Sequence, residues 1–284
     1  MFFRNVKARR VGNAIPMLED EHGNRLESDG EVINHILNFY MGLFGTEIEV
    51  VGHDIPEGAR VDDSMFPMLE GMPSKEEVRR VISSIGVNKS PGPDGFGSLF
   101  FRECWGSIGN DVWGAVDEFF RRGKLLKQFN ATFVALIPKV PNPTMVKDLR
   151  PISCCNTMLK TITKLLAERV KMVVGELVSD CQGAFVPGRS MIHNCAIAID
   201  LVKGYGTKRM SPRCTMKVDL HKAYDCVSWE FLGRTLQSFN FPPKLTQLIM
   251  ECVTTPSYSI LINGAPEGYF KGKRGLRQGG RWGR

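Results

Sequence analysis

Thr215-Met216-Lys217-Val218-Asp219-Leu220-His221-Lys222-Ala223-Tyr224-Asp225-Cys226-Val227-Ser228-Trp229 is the stretch on which the fold turns. Its opening residues, β-branched or apolar around a single lysine, predict a short strand with Asp219 at its C-terminal end. Ser228 is placed to N-cap a following helix with Phe231, Leu232, Leu236 and Phe239 on one face. A carboxylate at the end of a buried strand can hold a divalent ion at a cleft, as two-metal displacement chemistry requires. Strand-end Asp residues also serve as turn formers and caps, so spacing alone leaves both roles open for Asp219.

Outward from this stretch, toward the C-terminus, Tyr258, Ile260 and Ile262 alternate with Ser259 and Leu261 before Asn263-Gly264, a type I′ hairpin signal. The return strand leads through Lys271, Lys273 and Arg274 into Gly275-Leu276-Arg277-Gln278-Gly279. Toward the N-terminus, Gln182-Gly183-Ala184-Phe185-Val186-Pro187-Gly188-Arg189-Ser190 precedes a predicted helix that runs to about residue 203. Gly183 and Gly188 permit close backbone approach there, and Arg189 is able to reach a phosphate. Residues 157–178 predict a long helix with Leu159, Ile162, Leu165 and Leu166 inward and Lys160, Lys164, Arg169 and Lys171 on its other sides. Ala131 to Ile137 reads as a buried strand stopped by Pro138, followed by Lys139 and then Asp148-Leu149-Arg150-Pro151-Ile152-Ser153. Two cations flanking a turn between short strands fit a triphosphate clamp, with Arg as a bidentate fork and Lys as a point charge. They fit a solvated hairpin tip as well.

Further upstream, residues 98–122 predict one amphipathic helix whose inner face includes Leu99, Ile108, Val112, Val116, Phe119 and Phe120. Ser74-Lys75-Glu76-Glu77 reads as a capping box opening a helix with Val78, Val81, Ile82 and Ile85 on one stripe. Asn88-Lys89-Ser90-Pro91-Gly92-Pro93-Asp94-Gly95-Phe96 then forms a loop able to present Lys89 to a phosphate, although its composition equally suits a plain interhelix turn. Near the N-terminus, Val32, Ile33, Ile36, Leu37, Tyr40 and Leu43 recur at helical spacing over residues 30–44, and residues 45–72 read as a linker.

The charge balance divides the chain. Residues 1–72 carry six Lys/Arg against thirteen Asp/Glu, a net of −7, whereas residues 73–284 carry thirty-one against seventeen, a net of +14. A surplus of that size suits a polyanionic partner, nucleic acid above all. Eight cysteines form no C-x-x-C pair and read as reduced thiols, mostly buried, of an intracellular protein. Charges at Arg4 and Lys7 come too early for a signal-peptide apolar core, and no apolar run is long enough to span a membrane. The five histidines, at 22, 35, 53, 193 and 221, are scattered and argue against an endonuclease.

Six blocks occur in a fixed order: NKSPGPDGF (88–96), IPK (137–139), LRPIS (149–153), QGAFVPGR (182–189), VDLHKAYD (218–225) and RGLRQG (274–279). Together they resemble the reverse transcriptase of non-LTR (LINE-type) retrotransposons, in wording closest to plant elements. The leading Phe2-Phe3 to Arg10 segment resembles the join between an upstream endonuclease and the polymerase. The resemblance implies an α+β fold, the fingers and partial palm of a right-hand polymerase over residues 73–279, after an N-terminal extension (1–72) and before an atypical tail (280–284). It implies Asp219 as the first catalytic carboxylate, with the Leu220 carbonyl as a further Mg²⁺ ligand. It further implies that Lys139 and Arg150 hold the triphosphate, that Tyr224 stacks under the sugar and excludes a 2′-hydroxyl, and that Gln278 and Gly279 pack on the nascent base pair. By the same resemblance Gln182, Gly183, Phe185 and Arg189 are expected to line the template path. The implied partners are an RNA template, a DNA primer and deoxynucleoside triphosphates, in nucleus or cytoplasm, with no membrane; nothing in the sequence points to a homo-oligomer. Two departures qualify this. Gly280-Arg281 replaces Asp-Pro-Leu-Ser-Pro, and no Asp or Glu follows Glu267 to supply the later Ala-Asp-Asp box. The expectation is a truncated or frame-shifted polymerase copy that is inactive alone, marginally stable and prone to expose apolar faces. The alternatives are a non-catalytic nucleic-acid-binding remnant and a pseudogene product.

Overall fold

Helix α1 (Asp29–Phe44) begins at a reciprocal cap: the Ser28 hydroxyl accepts the Glu31 N–H, and the Glu31 carboxylate accepts the Ser28 N–H at 3.1 Å. Its buried stripe, Val32, Ile36, Tyr40, Leu43 and Phe44, lies on one face of a four-stranded sheet. The computed structural model describes residues 15, 17–47, 55, 58–203, 205, 214–220 and 222–277. The leading segment that resembles an endonuclease join, His221, Gln278, Gly279 and the tail 280–284 lie outside those residues.

The sheet has the order β2-β1-β3-β4, from β1 (Ala131–Pro138), β2 (Leu149–Cys155), β3 (Ser257–Ile262) and β4 (Ala265–Lys271). Pairs β1/β2 and β3/β4 are antiparallel, whereas β1 and β3, far apart in sequence, run parallel. Strand alternation puts Val134, Leu136, Leu149, Ile260 and Ile262 into the α1-facing core. Asn263 and Gly264 both adopt positive φ, 50° and 93°, as the type I′ reading requires.

The second core is helical. It joins α2 (Lys75–Ser83), α3 (Ser98–Glu103), α4 (Trp105–Arg122), α5 (Thr157–Lys171), α7 (Trp229–Ser238) and α8 (Pro243–Thr254). Among the described side chains, helix α6 (Met191–Val202) contributes none to either core. Val61 and Leu69 bury in the helical core and α1 in the sheet core, so packing crosses the sequence boundary at residue 72.

Several local expectations are corrected. The helix expected over 98–122 is two helices, broken at Cys104, where ψ is 4°. Arg102 donates to the carbonyls of Ser83 and Ile85, and Ser98 to Ile85, so α3 is tied to the end of α2 and Leu99 is left exposed. The helix expected over 157–178 stops at Lys171, with a separate turn at Val174–Leu177. Its basic residues do not form one solvent face, because Lys164 is 4% exposed and Arg169 8%. Arg169 pairs with Glu77 of α2 at 2.8 Å, so Glu77 does not close the expected capping box, and only the Ser74 hydroxyl accepts a helix N–H. Residues 215–218 form no strand: residues 214–220 are exposed and enter no ladder among the described residues. Four cysteines, 181, 195, 214 and 226, are exposed rather than buried, three of them in or beside the sparsely covered α6 and Asp219 segments. Helix α8 is an addition to the elements expected from sequence, and Pro243 at its first turn and Leu245, Leu248, Ile249 and Cys252 at helical spacing carry its signal. No helix among the described residues is long and apolar enough to cross a membrane.

Candidate functional site

The β1–β2 hairpin is what brings Lys139 and Arg150 together. Its register sets Ile137 opposite Arg150 and Pro138 opposite Leu149, so both cations leave the same end of the sheet. The turn is locked by the Lys139 N–H on the Asp148 carbonyl (2.8 Å) and the Met145 N–H on the Asp148 carboxylate (3.1 Å). The Lys139 ammonium donates to the Lys147 carbonyl at 2.7 Å.

This hairpin end forms one wall of a cleft of about 200 Å³. Lys139, Lys147, Arg150 and Pro151 line it from the hairpin, Phe39, Tyr40 and Leu43 from α1, and Lys222 and Asp225 from the turn after Asp219. Four cations therefore meet one carboxylate in its lining. Tyr40 is buried, and its hydroxyl has no hydrogen-bond partner among the described residues. Burial, and then the nearby Asp225 charge, raise the Tyr40 phenol well above its ordinary pKa.

The turn at 222–226 is held from both sides. The Asp225 and Cys226 N–H groups donate to the Lys222 carbonyl (2.9 and 3.1 Å). The Leu276 N–H donates to the Tyr224 carbonyl (2.7 Å) and the Gly275 N–H to the Val227 carbonyl (2.8 Å). Trp229 closes the junction by donating its indole N–H to the Gly275 carbonyl at 2.8 Å. The RGLRQG block is thus sewn to the VDLHKAYD block. Its two arginines serve the frame: Arg274 donates to the Leu43 and Gly42 carbonyls at the end of α1, and Arg277 to Asn130, Thr132 and the Cys252 carbonyl.

Asp219 and Leu220 stand in an exposed segment without regular secondary structure, where Met216, Val218 and Leu220 are 81%, 70% and 73% exposed. The family to which the blocks point generally uses a divalent metal. Among the described residues, no group of three or more His, Cys, Asp or Glu could hold one. Tyr224 is half-buried beside this segment.

The loop at 182–189 is compact and strained. Phe185 is exposed at φ 65°, Gln182 donates to the Ala184 carbonyl at 3.0 Å, and a Cβ on Gly183 would lie 2.1 Å from the Asn194 amide. The Arg189 guanidinium donates to the carbonyls of Gly175, Val178, Ser179 and Gln182 and pairs with Asp180 at 3.2 Å. Its hydrogen bonds thus tie the loop to the chain just before it, at residues 175–180, as well as to Gln182. Next to this loop, α6 exposes Ile192, Ile197, Ile199 and Leu201.

Of the site residues expected from sequence, the cleft gathers Lys139 and Arg150, and Tyr224 is tied to the turn that closes it. The cleft also contains residues the sequence did not single out, namely Lys147, Lys222, Phe39 and Tyr40. Lys222 lay within the decisive stretch, but nothing in its spacing aims it at Lys139.

Residues 137–283, just over half of the chain, match the family described as reverse transcriptase (RNA-dependent DNA polymerase), and the chain belongs to that family. It is 26% identical to an uncharacterized 149 kDa protein of transposon TX1 from Xenopus laevis, over 98% of this chain and 21% of that protein. It is 24% identical to the retrovirus-related Pol polyprotein from the type-2 retrotransposable element R2DM of Drosophila melanogaster, over 69% of this chain and 18% of that polyprotein. These transposon relatives agree with the non-LTR reverse transcriptase character of the sequence blocks, and the chain spans about a fifth of their length.

Proposed function

We propose that residues 73–279 are the fingers and first part of the palm of an RNA-directed DNA polymerase, and that the cleft receives the triphosphate of a deoxynucleotide. The observation that carries this reading is the convergence of Lys139 and Arg150 at one hairpin end, in a cleft with two further lysines. Arg150 offers the bidentate fork and Lys139 a point charge to phosphate oxygens. Tyr224, fixed through its carbonyl to Leu276, is the proposed platform for the sugar. Gln278 and Gly279 are the proposed packing for the nascent base pair. Gln182, Gly183, Phe185 and Arg189 are proposed to line the RNA template path, with the Arg189 guanidinium also bracing their loop, and a DNA primer completes the complex. Residues 1–72 remain a proposed N-terminal extension and 280–284 a proposed tail. Action in nucleus or cytoplasm follows from the same reading.

Mg²⁺ is the proposed ion, with Asp219 as the catalytic carboxylate and the Leu220 carbonyl as a neighbouring ligand. One exposed carboxylate and one carbonyl do not complete a two-ion site, so no step is assigned to the ion. A protein of these 284 residues is proposed not to polymerise unaided. A second reading, nucleic-acid binding without chemistry, is favoured by the +14 charge of residues 73–284.

Titration of the 284-residue chain with a deoxynucleoside triphosphate tests the first reading. Arg150→Ala and Lys139→Ala should each weaken binding roughly tenfold or more, and Asp219→Asn should leave metal-free binding unchanged. Equal affinity in all variants would leave nucleic-acid binding as the better account.

A further inference from the structure

We propose that Lys222 is a further phosphate ligand of this cleft and that Phe39, from α1, is the positioning residue that holds it there; the proposal rests on the triphosphate reading above. The Lys222 ammonium lies 4.6 Å from the centroid of the Phe39 ring, within the range where a cation is attracted to an aromatic face. Lys139, Lys147 and Arg150 line the same small space. Repulsion among like charges drives a flexible lysine out of such a cluster. The ring supplies an attraction that keeps the ammonium at the cleft wall.

Both partners are mounted rigidly. Phe39 meets Tyr40 edge to face at 5.2 Å, Tyr40 stacks on Phe44 at 5.7 Å, and Phe44 meets Tyr258 of β3 at 5.4 Å. An aromatic ladder thus runs from the sheet core to the cleft. Lys222 has φ 52°, a conformation uncommon for a residue with a side chain, and two N–H groups of its own turn bind its carbonyl. Such a conformation persists only where its surroundings impose it. The four cations outnumber the Asp225 carboxylate in the lining and so suit a triphosphate, and the ring that holds the fourth, Lys222, comes from α1, which precedes residue 73.

The test is calorimetric titration of the full chain with inorganic tripolyphosphate at fixed, low ionic strength. Lys222→Met should weaken binding about five- to tenfold, and Phe39→Leu about two- to fivefold. Phe39→Tyr, which keeps an aromatic face, should restore binding. In a Lys222→Met background, Phe39→Leu should have no further effect. A Lys222→Met protein that binds as tightly as the parent, while Arg150→Ala loses binding, would overturn this inference and leave the triphosphate reading standing. A Phe39→Leu loss of equal size in both backgrounds would make Phe39 a purely structural residue and also overturn it. Failure of the parent chain to bind, or indifference to Arg150→Ala and Lys139→Ala, would remove the triphosphate reading and this inference with it.

Discussion

The backbone of Gly275 lies against Asp225, so close that a Cβ on residue 275 would stand 2.6 Å from the Asp225 carbonyl oxygen. Gly275 also has φ +82°, which a side chain resists. The contact joins the two sequence blocks that frame the cleft, and Asp225 lines the cleft itself. Gly275→Ala should therefore cost about 1–3 kcal/mol of stability from the backbone conformation alone. It should also weaken triphosphate binding by displacing the turn that carries Lys222. Urea denaturation and nucleotide titration of the same variant check the two effects, and a fully stable Gly275→Ala protein would contradict the close approach.

The pairing of Glu77 with Arg169 predicts an asymmetry between two ion pairs that link α2 to α5. Both side chains of this pair are mostly buried, and Arg169 also has a buried Nε without a partner among the described residues. Glu77→Ala should cost about 2–4 kcal/mol, because a buried guanidinium is left without its counter-charge. Arg80, 61% exposed in its pair with Glu168, should cost under about 1 kcal/mol on mutation to Ala. Chemical denaturation of the two variants side by side gives the comparison.

Alkaline pH should unfold the protein through its cores. Burial pushes the Tyr258 phenol up to about 12 and the Cys252 thiol up to about 12, and raises Tyr40 as well. Ordinary values are about 10 for a phenol and about 8.5 for a thiol. The folded state thus holds these protons more tightly than the unfolded state. Their contribution is complete below the unfolded values and is lost as pH rises toward about 12. Tyrosinate absorbance should show Tyr40 and Tyr258 ionising only together with loss of helical circular dichroism, and Tyr258→Phe should flatten the decline. Free ionisation of all five tyrosines in the folded protein near pH 10 would contradict the burial.

The strands and most helices were legible because their signals are local. Alternation at Tyr258, Ile260 and Ile262, the Asn263-Gly264 turn and the Ser228 cap each depend on a few adjacent residues, and each is found in the structure. What sequence missed depends on partners distant in the chain. Glu77 looks like a capping residue until Arg169, 92 residues away, takes its carboxylate. The Met216 and Val218 pattern is that of a strand, but a strand needs a neighbour, and none is present among the described residues. For the site, Lys139 and Arg150 are readable because one hairpin brings both to the same end of the sheet. Phe39 and Lys222 are not, since only the packing of α1 on the sheet brings them together.

Lysine footprinting tests the central claim, that the cleft between α1, the β1–β2 hairpin and the 222–226 turn holds a triphosphate. The chain is acylated with a small amine-reactive ester, with and without saturating deoxynucleoside triphosphate, and each lysine is quantified by mass spectrometry. The account predicts that Lys139, Lys147 and Lys222 are protected by the nucleotide while Lys75 and Lys127, outside the cleft lining, are not. Protection of Lys89 and Lys171 in place of these three, or of no lysine at a concentration where binding is measured, would contradict it.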